Sequence, residues 1–67
     1  MKQTLVAWRK GRDLTQAELA NLIGVTRKTV NAWENGRGEP SVTELYKLEK
    51  VLKLNPSDRI LFERRLT

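Results

Sequence analysis

Between Thr15 and Glu34 the chain carries a helix start, a helix stop and a second helix start, which confines this stretch to two short helices meeting at a sharp turn. Thr15 is followed three positions on by Glu18, the capping-box spacing in which a hydroxyl and a carboxylate satisfy free N–H groups at a helix N-terminus. Leu19, Leu22 and Ile23 then recur at i, i+3 and i+4, the spacing of one buried face. Ala20 is small where a second helix must cross closely. Gly24 adopts without a Cβ penalty the left-handed backbone that ends a helix. Past Val25, Thr26 is a candidate N-cap for the next helix, where Val30 and Trp33 stand three apart as a narrow buried stripe. The other face of that helix has no apolar partner to meet.

The free face opens with Arg27 and Lys28. Two cations in a first helical turn oppose the macrodipole, each at about 0.3–1 kcal/mol when exposed, so helix stability gives no reason for them. A polyanion does. Helix, sharp turn and cationic second helix together make a helix-turn-helix over about residues 15–34, the shape that lays its second helix, about 27–34, in the major groove of DNA. Arg27 suits bidentate bonding to guanine, and Lys28 suits the same acceptors or a phosphate. Asn31 and Ala32 lie one turn on and share that face. Asn31 suits adenine and Ala32 the thymine methyl, against the plainer readings of a solvated amide and a simple helix former.

Composition narrows the alternatives. The chain has 67 residues, room for one small domain spanning 1–67, which buries only about 60% of its unfolded surface. It has no cysteine and no histidine, so the residues offer no disulfide, no thiolate metal site and no histidine base. No enzyme, cofactor, metal or small-molecule ligand is expected. No apolar run approaches the roughly 20 residues that span a bilayer and no signal-peptide pattern opens the chain, so a cytoplasmic protein without a membrane partner is expected. The formal net charge is +5. Its distribution says more: residues 1–38 carry seven cations against three anions, whereas residues 39–67 carry six against five. The excess sits in the half that holds the cationic helix, as a polyanionic partner requires.

The rest of the chain reads as further helices, giving an all-α bundle of about five. Residues 2–10 read as the first, with Leu5 and Trp8 inward and Gly11 ending it. Residues 35–40 form a loop rich in turn formers. Ser41 and Glu44 repeat the capping box and open a fourth helix with Leu45, Leu48 and Leu52 on one face. Asn55, Pro56 and Asp58 read as a cap with proline at the first helical position, so a fifth helix is expected through Ile60, Leu61 and Phe62 to about Arg65. Ile60, Leu61, Phe62 and Leu66 exceed what one inward stripe requires, and some are candidates for a dimer contact.

The run Leu14-Thr15-Gln16-Ala17-Glu18-Leu19-Ala20, then Gly24-Val25-Thr26, Thr29-Val30, Trp33-Glu34-Asn35-Gly36, and Pro40-Ser41 resemble the lambda-repressor-like, Cro/repressor family of helix-turn-helix domains. The resemblance covers roughly residues 5 to 55. It implies a compact bundle of about five helices, a third helix in the major groove, a symmetric homodimer on double-stranded DNA and a role in transcriptional regulation, with a repressor as the first expectation. It further implies phosphate contacts from Gln16, Thr26, Thr29 and, with Asn35 and Gly36, Arg37; Lys10 and Arg12 are added as nearby cations. Arg9 and Glu34 match a pair that ties the first helix to the reading helix. Trp8 and Trp33 depart from the aliphatic or smaller aromatic residues common there and are expected to pack in the core, with Trp33 partly at the surface. No large C-terminal oligomerisation domain of the kind some repressors carry is expected, so any dimer is expected to form through this small domain itself. Two other readings accompany the DNA-binding regulator: an antitoxin-like autoregulator, and a protein-interaction module that keeps the fold without binding DNA.

Overall fold

A computed structural model describes residues 1–62. In chain order it holds a strand β1 (Lys2–Thr4), helices α1 (Leu5–Gly11), α2 (Gln16–Ile23), α3 (Arg27–Glu34) and α4 (Val42–Val51), and a strand β2 (Arg59–Leu61). Each helix starts where a serine or threonine oxygen accepts from a backbone N–H three residues on: Thr4 from Ala7, Thr15 from Glu18, Thr26 from Thr29 and Ser41 from Glu44. At Thr15 and Ser41 the box closes in both directions, with Glu18 and Glu44 each accepting from the backbone N–H of the cap.

The described fold is therefore four helices with a small sheet, not five helices. Residues 2–4, expected to open the first helix, are strand, because Thr4 caps α1 and the residues before it pair in parallel with β2 in the register Lys2 to Arg59, Gln3 to Ile60 and Thr4 to Leu61. The fifth helix is replaced over 55–61 by a turn and β2. Asn55 N–H donates to Asp58 Oδ2 and Asp58 N–H donates back to the Asn55 carbonyl, both at 2.9 Å, closing a tight turn with Pro56 at its second position. Beyond it, Arg59 N–H donates to the Met1 carbonyl, and the Trp8 indole N–H donates to the Arg59 carbonyl at 3.0 Å. These bonds draw the backbone out as a strand. Leu66, and the expected helix beyond Phe62, lie outside the described residues.

The core is Leu5, Trp8, Leu19, Ala20, Ile23, Val30, Trp33, Leu48 and Leu52. Both tryptophans are inside, so Trp33, 5% exposed, does not reach the surface as expected. Leu22 departs in the other direction: it is 57% exposed, since the inward stripe of α2 runs through Leu19, Ala20 and Ile23 and none of the other described residues covers the side on which Leu22 lies. Leu48 on α4 and Leu52 at its C-cap are buried, and Leu45 is only half-buried.

The Asp58 turn also receives the N-terminal ammonium of Met1, 2.9 Å from Oδ1. That bond, followed by the Asn55 N–H, holds the Asp58 carboxyl below the usual carboxylate range. A carboxyl lowered on folding stabilises fully above its unfolded value of about 3.9 and ceases to do so as pH falls through the lower folded value. Asp58→Asn is thus expected to lower the melting temperature near neutral pH and to leave little difference from the parent in strong acid. Thermal melts across that range check this, and a gap that persists undiminished in acid would contradict it.

Candidate nucleic-acid interface

The turn between α2 and α3 is built from three backbone decisions. Gly24 sits at φ +79°, where a side chain would be strained although there is open space around it. Val25 N–H then donates back to the Ala20 carbonyl at 3.0 Å, closing the end of α2. Thr26 re-enters extended backbone and caps α3, and its hydroxyl also lies 2.9 Å from that of Thr29. Both threonine hydroxyls are therefore engaged in the cap itself, with Thr26 exposed and Thr29 half-buried.

On α3, Val30 and Trp33 turn inward. At 3.6 residues per turn Lys28 stands opposite them, with Arg27 and Asn31 to one side of it and Ala32 to the other. Arg27 and Lys28 are exposed, whereas Asn31 and Ala32 are half-buried. No acidic residue occupies the first turn. The far end of α3 is closed by Gly36 at φ +75° and by Arg37 N–H donating to the Ala32 carbonyl at 2.8 Å, which leaves the Arg37 side chain exposed just beyond the helix.

A polar network fixes α3 against the rest of the domain. Arg9 donates from Nε to Glu34 Oε2 at 2.7 Å and from Nη2 to Oε1 at 3.2 Å, while its Nη1 donates to the Leu14 carbonyl at 2.8 Å. The two charged side chains are 10% and 6% exposed, so the pair is nearly dry and its guanidinium is otherwise satisfied by backbone. Gln16, the first residue of α2, donates from Nε2 to Glu34 Oε1 at 2.9 Å and to Asn31 Oδ1 at 3.3 Å. Asn35 donates from Nδ2 to the Asn31 carbonyl at 2.8 Å and to Asn31 Oδ1 at 3.2 Å. The family resemblance implies a phosphate contact for Gln16, and nothing local in the sequence joins it to Asn31, since a contact between residues fifteen apart has no local signature. The Asn31–Asn35 contact has one, the i, i+4 spacing on a helix.

The remaining cations divide. Lys10 is exposed on the last turn of α1. Arg12 instead turns to the C-terminus of α4, donating to the carbonyls of Leu52 at 2.7 Å and Lys53 at 3.4 Å, and its guanidinium lies 5.8 Å from the Trp8 ring centre. A cation on the negative end of a helix is a stabilising tether. Of the apolar residues near the chain end, Leu61 is exposed at 45%, while Ile60 and Phe62 are half-buried and pack against the core. Among the described residues no group of histidine, cysteine or carboxylate side chains could hold a metal ion, and no helix is long and apolar enough to cross a membrane.

Comparison with known proteins agrees with this geometry. The helix-turn-helix family model matches residues 5–58. The chain is 35% identical over 63 residues to an uncharacterized HTH-type transcriptional regulator, MJ0272, of Methanocaldococcus jannaschii, covering 94% of this chain and 96% of that one. It is 37% identical over 49 residues to the HTH-type transcriptional regulator DicA of Escherichia coli, covering 73% of this chain and 36% of that one. It is 30% identical over 59 residues to the HTH-type transcriptional activator BcrR of Enterococcus faecalis, covering 88% of this chain and 29% of that one. No solved structure gives a significant match. With a capped helix pair, a cationic second helix and a family match over most of its length, the chain belongs to the lambda-repressor-like, Cro/repressor-type helix-turn-helix family, whose members are DNA-binding transcriptional regulators and not enzymes.

Proposed function

We propose that this chain is a sequence-specific, cytoplasmic transcriptional repressor that binds double-stranded DNA as a homodimer, with α3 of each copy in the major groove of one half of an inverted repeat. The observation that carries the reading is the exposed pair Arg27 and Lys28 at the start of α3, unfavourable to the helix and uncompensated by any acid in its first turn. Arg27, Lys28, Asn31 and Ala32 face base edges. Arg37, Lys10, the Thr26–Thr29 cap and the N-terminus of α2 at Gln16 face the phosphates, where free N–H groups favour an anion. One module of this size reads few base pairs, too few to stand out among genomic competitors, and a two-fold pair supplies the rest. Half-sites about 34 Å apart then let both α3 helices enter one face of the duplex. Leu61 on β2 supplies the exposed apolar group for the contact between copies, with Ile60 beside it. Repression follows from occupancy, since a bound dimer excludes polymerase from an overlapping promoter.

Selection from randomised duplexes tests both halves of the reading. Arg27→Ala is expected to cost about 1–3 kcal/mol on the selected site and to relax one base-pair position, whereas Arg37→Ala weakens selected and scrambled duplexes alike. Sedimentation of the complex is expected to give two chains per full site, reduced by Leu61→Glu. Equal losses for Arg27→Ala on both duplexes would make Arg27 a phosphate contact, and one chain per saturated site would remove the dimer.

A further inference from the structure

We propose that Asn31 reads guanine by donation alone, its amide locked by a polarity relay that runs from the Arg9–Glu34 ion pair through Gln16, with Asn35 completing the lock; the proposal rests on the groove-reading function above. The relay follows from which groups can only accept. The Glu34 carboxylate has no proton to give, so the Gln16 atom 2.9 Å from it is the amide nitrogen, and the second N–H of that same nitrogen points at the Asn31 side chain, 3.3 Å away. The Asn31 backbone carbonyl likewise can only accept, so the Asn35 atom 2.8 Å from it is Nδ2, whose second N–H reaches the same Asn31 side-chain atom at 3.2 Å. Two donors of fixed identity thus converge on one atom of Asn31. It must be Oδ1, because the flipped amide would set N–H against N–H.

The consequence lies at the other end of the amide. Asn31 Nδ2 donates to no protein group among the described residues, and Asn31 flanks Lys28 on the same side of α3 as Arg27, toward the surface that faces the groove. An asparagine that reads adenine in the usual two-bond manner needs Oδ1 to accept from the adenine amino group while Nδ2 donates to N7. Here Oδ1 is already engaged. Guanine presents O6 and N7 side by side as acceptors, which suits an amino group with two hydrogens; adenine would set its own amino group against that of Asn31. Gln16 and Asn35 are positioning residues in this scheme, and Arg9 fixes the carboxylate that polarises it.

The test is selection from a randomised duplex library with the parent, Asn31→Ala and Gln16→Met, each confirmed folded by circular dichroism and a cooperative thermal melt. The position whose preference is lost in Asn31→Ala is the one Asn31 reads. The parent is expected to prefer guanine over adenine there by about tenfold. Gln16→Met removes one of the two donors without changing side-chain size much, and the preference is expected to weaken at that position alone. A merely structural or phosphate-binding role for Gln16 would lower affinity for every sequence equally and leave the preference intact, which would overturn the relay. Adenine preferred by the parent, or an Asn31→Ala profile identical to the parent's, would overturn the donor-only reading while leaving DNA binding standing. A folded parent with no affinity for any duplex at low salt would instead overturn the groove-reading function and this proposal with it.

Discussion

Glu34→Ala is expected to unfold the domain or bring it to the edge of unfolding at room temperature. Removing one partner of a nearly dry ion pair leaves the other charge stranded, which costs about 3–5 kcal/mol. Arg9 and Glu34 are 10% and 6% exposed, so water cannot take over the bonds that Glu34 supplies. The loss is larger still in local terms, because Gln16 Nε2 surrenders its acceptor at the same time. A natural domain is stable by roughly 0.05–0.15 kcal/mol per residue, or about 3–10 kcal/mol for a chain of this length, so the substitution removes much or all of it. Urea titration followed by circular dichroism measures the effect. The double variant Arg9→Leu with Glu34→Leu is expected to be more stable than either single one, since it strands no charge. A Glu34→Ala protein with an unchanged midpoint would mean that the pair is solvated in the native state.

How far the sequence discloses this fold depends on the range of each interaction. Helix starts are written within three residues, as at Thr15 and Glu18 or Ser41 and Glu44, and the structure closes both boxes. Gly24 is legible for the same reason, since its left-handed backbone is its own property. The strands are not legible. Residues 2–4 and 59–61 are three-residue segments paired across most of the chain, and neither shows an alternation that would declare it. Pro56 does not open the expected helix: proline suits the first turn of a helix and the second position of a β-turn equally, and the reciprocal bonds between Asn55 and Asp58 decide for the turn. Leu22 misled because the i, i+3, i+4 rule gives a face about a third of the helix wide and does not say where the covering helix stops.

The same distinction holds for the candidate interface. That Arg27 and Lys28 start a helix with a free face is local, and it was readable. What Gln16 and Arg12 do is decided by elements brought alongside: the carboxylate of Glu34 for the one, the open carbonyls at the end of α4 for the other. A cation near a reading helix in sequence is therefore not yet a cation available to DNA.

That difference sets the salt dependence of duplex binding. Each phosphate neutralised by a protein cation releases counterion, giving a slope of about −0.9 in log affinity against log salt per contact. Lys10, Arg27, Lys28 and Arg37 are exposed, and among the described residues no hydrogen bond or ion pair draws their side chains inward, whereas the Arg12 guanidinium is spent on Leu52 and Lys53. Counting the two of these that face phosphates, Lys10 and Arg37, affinity should fall about tenfold per chain between about 50 and 200 mM salt, and by about the square of that for a dimer engaged on both half-sites. Arg37→Ala should reduce the slope by about 0.9 per chain, while Arg12→Ala should leave the slope alone and lower stability through the loss of the α4 tether. Fluorescence anisotropy of a labelled duplex across a salt series, with a thermal melt of each variant, separates the two. A flat series for the parent would end the DNA-binding reading, and a slope that drops in Arg12→Ala as it does in Arg37→Ala would mean that Arg12 leaves the end of α4 to reach the backbone when DNA binds.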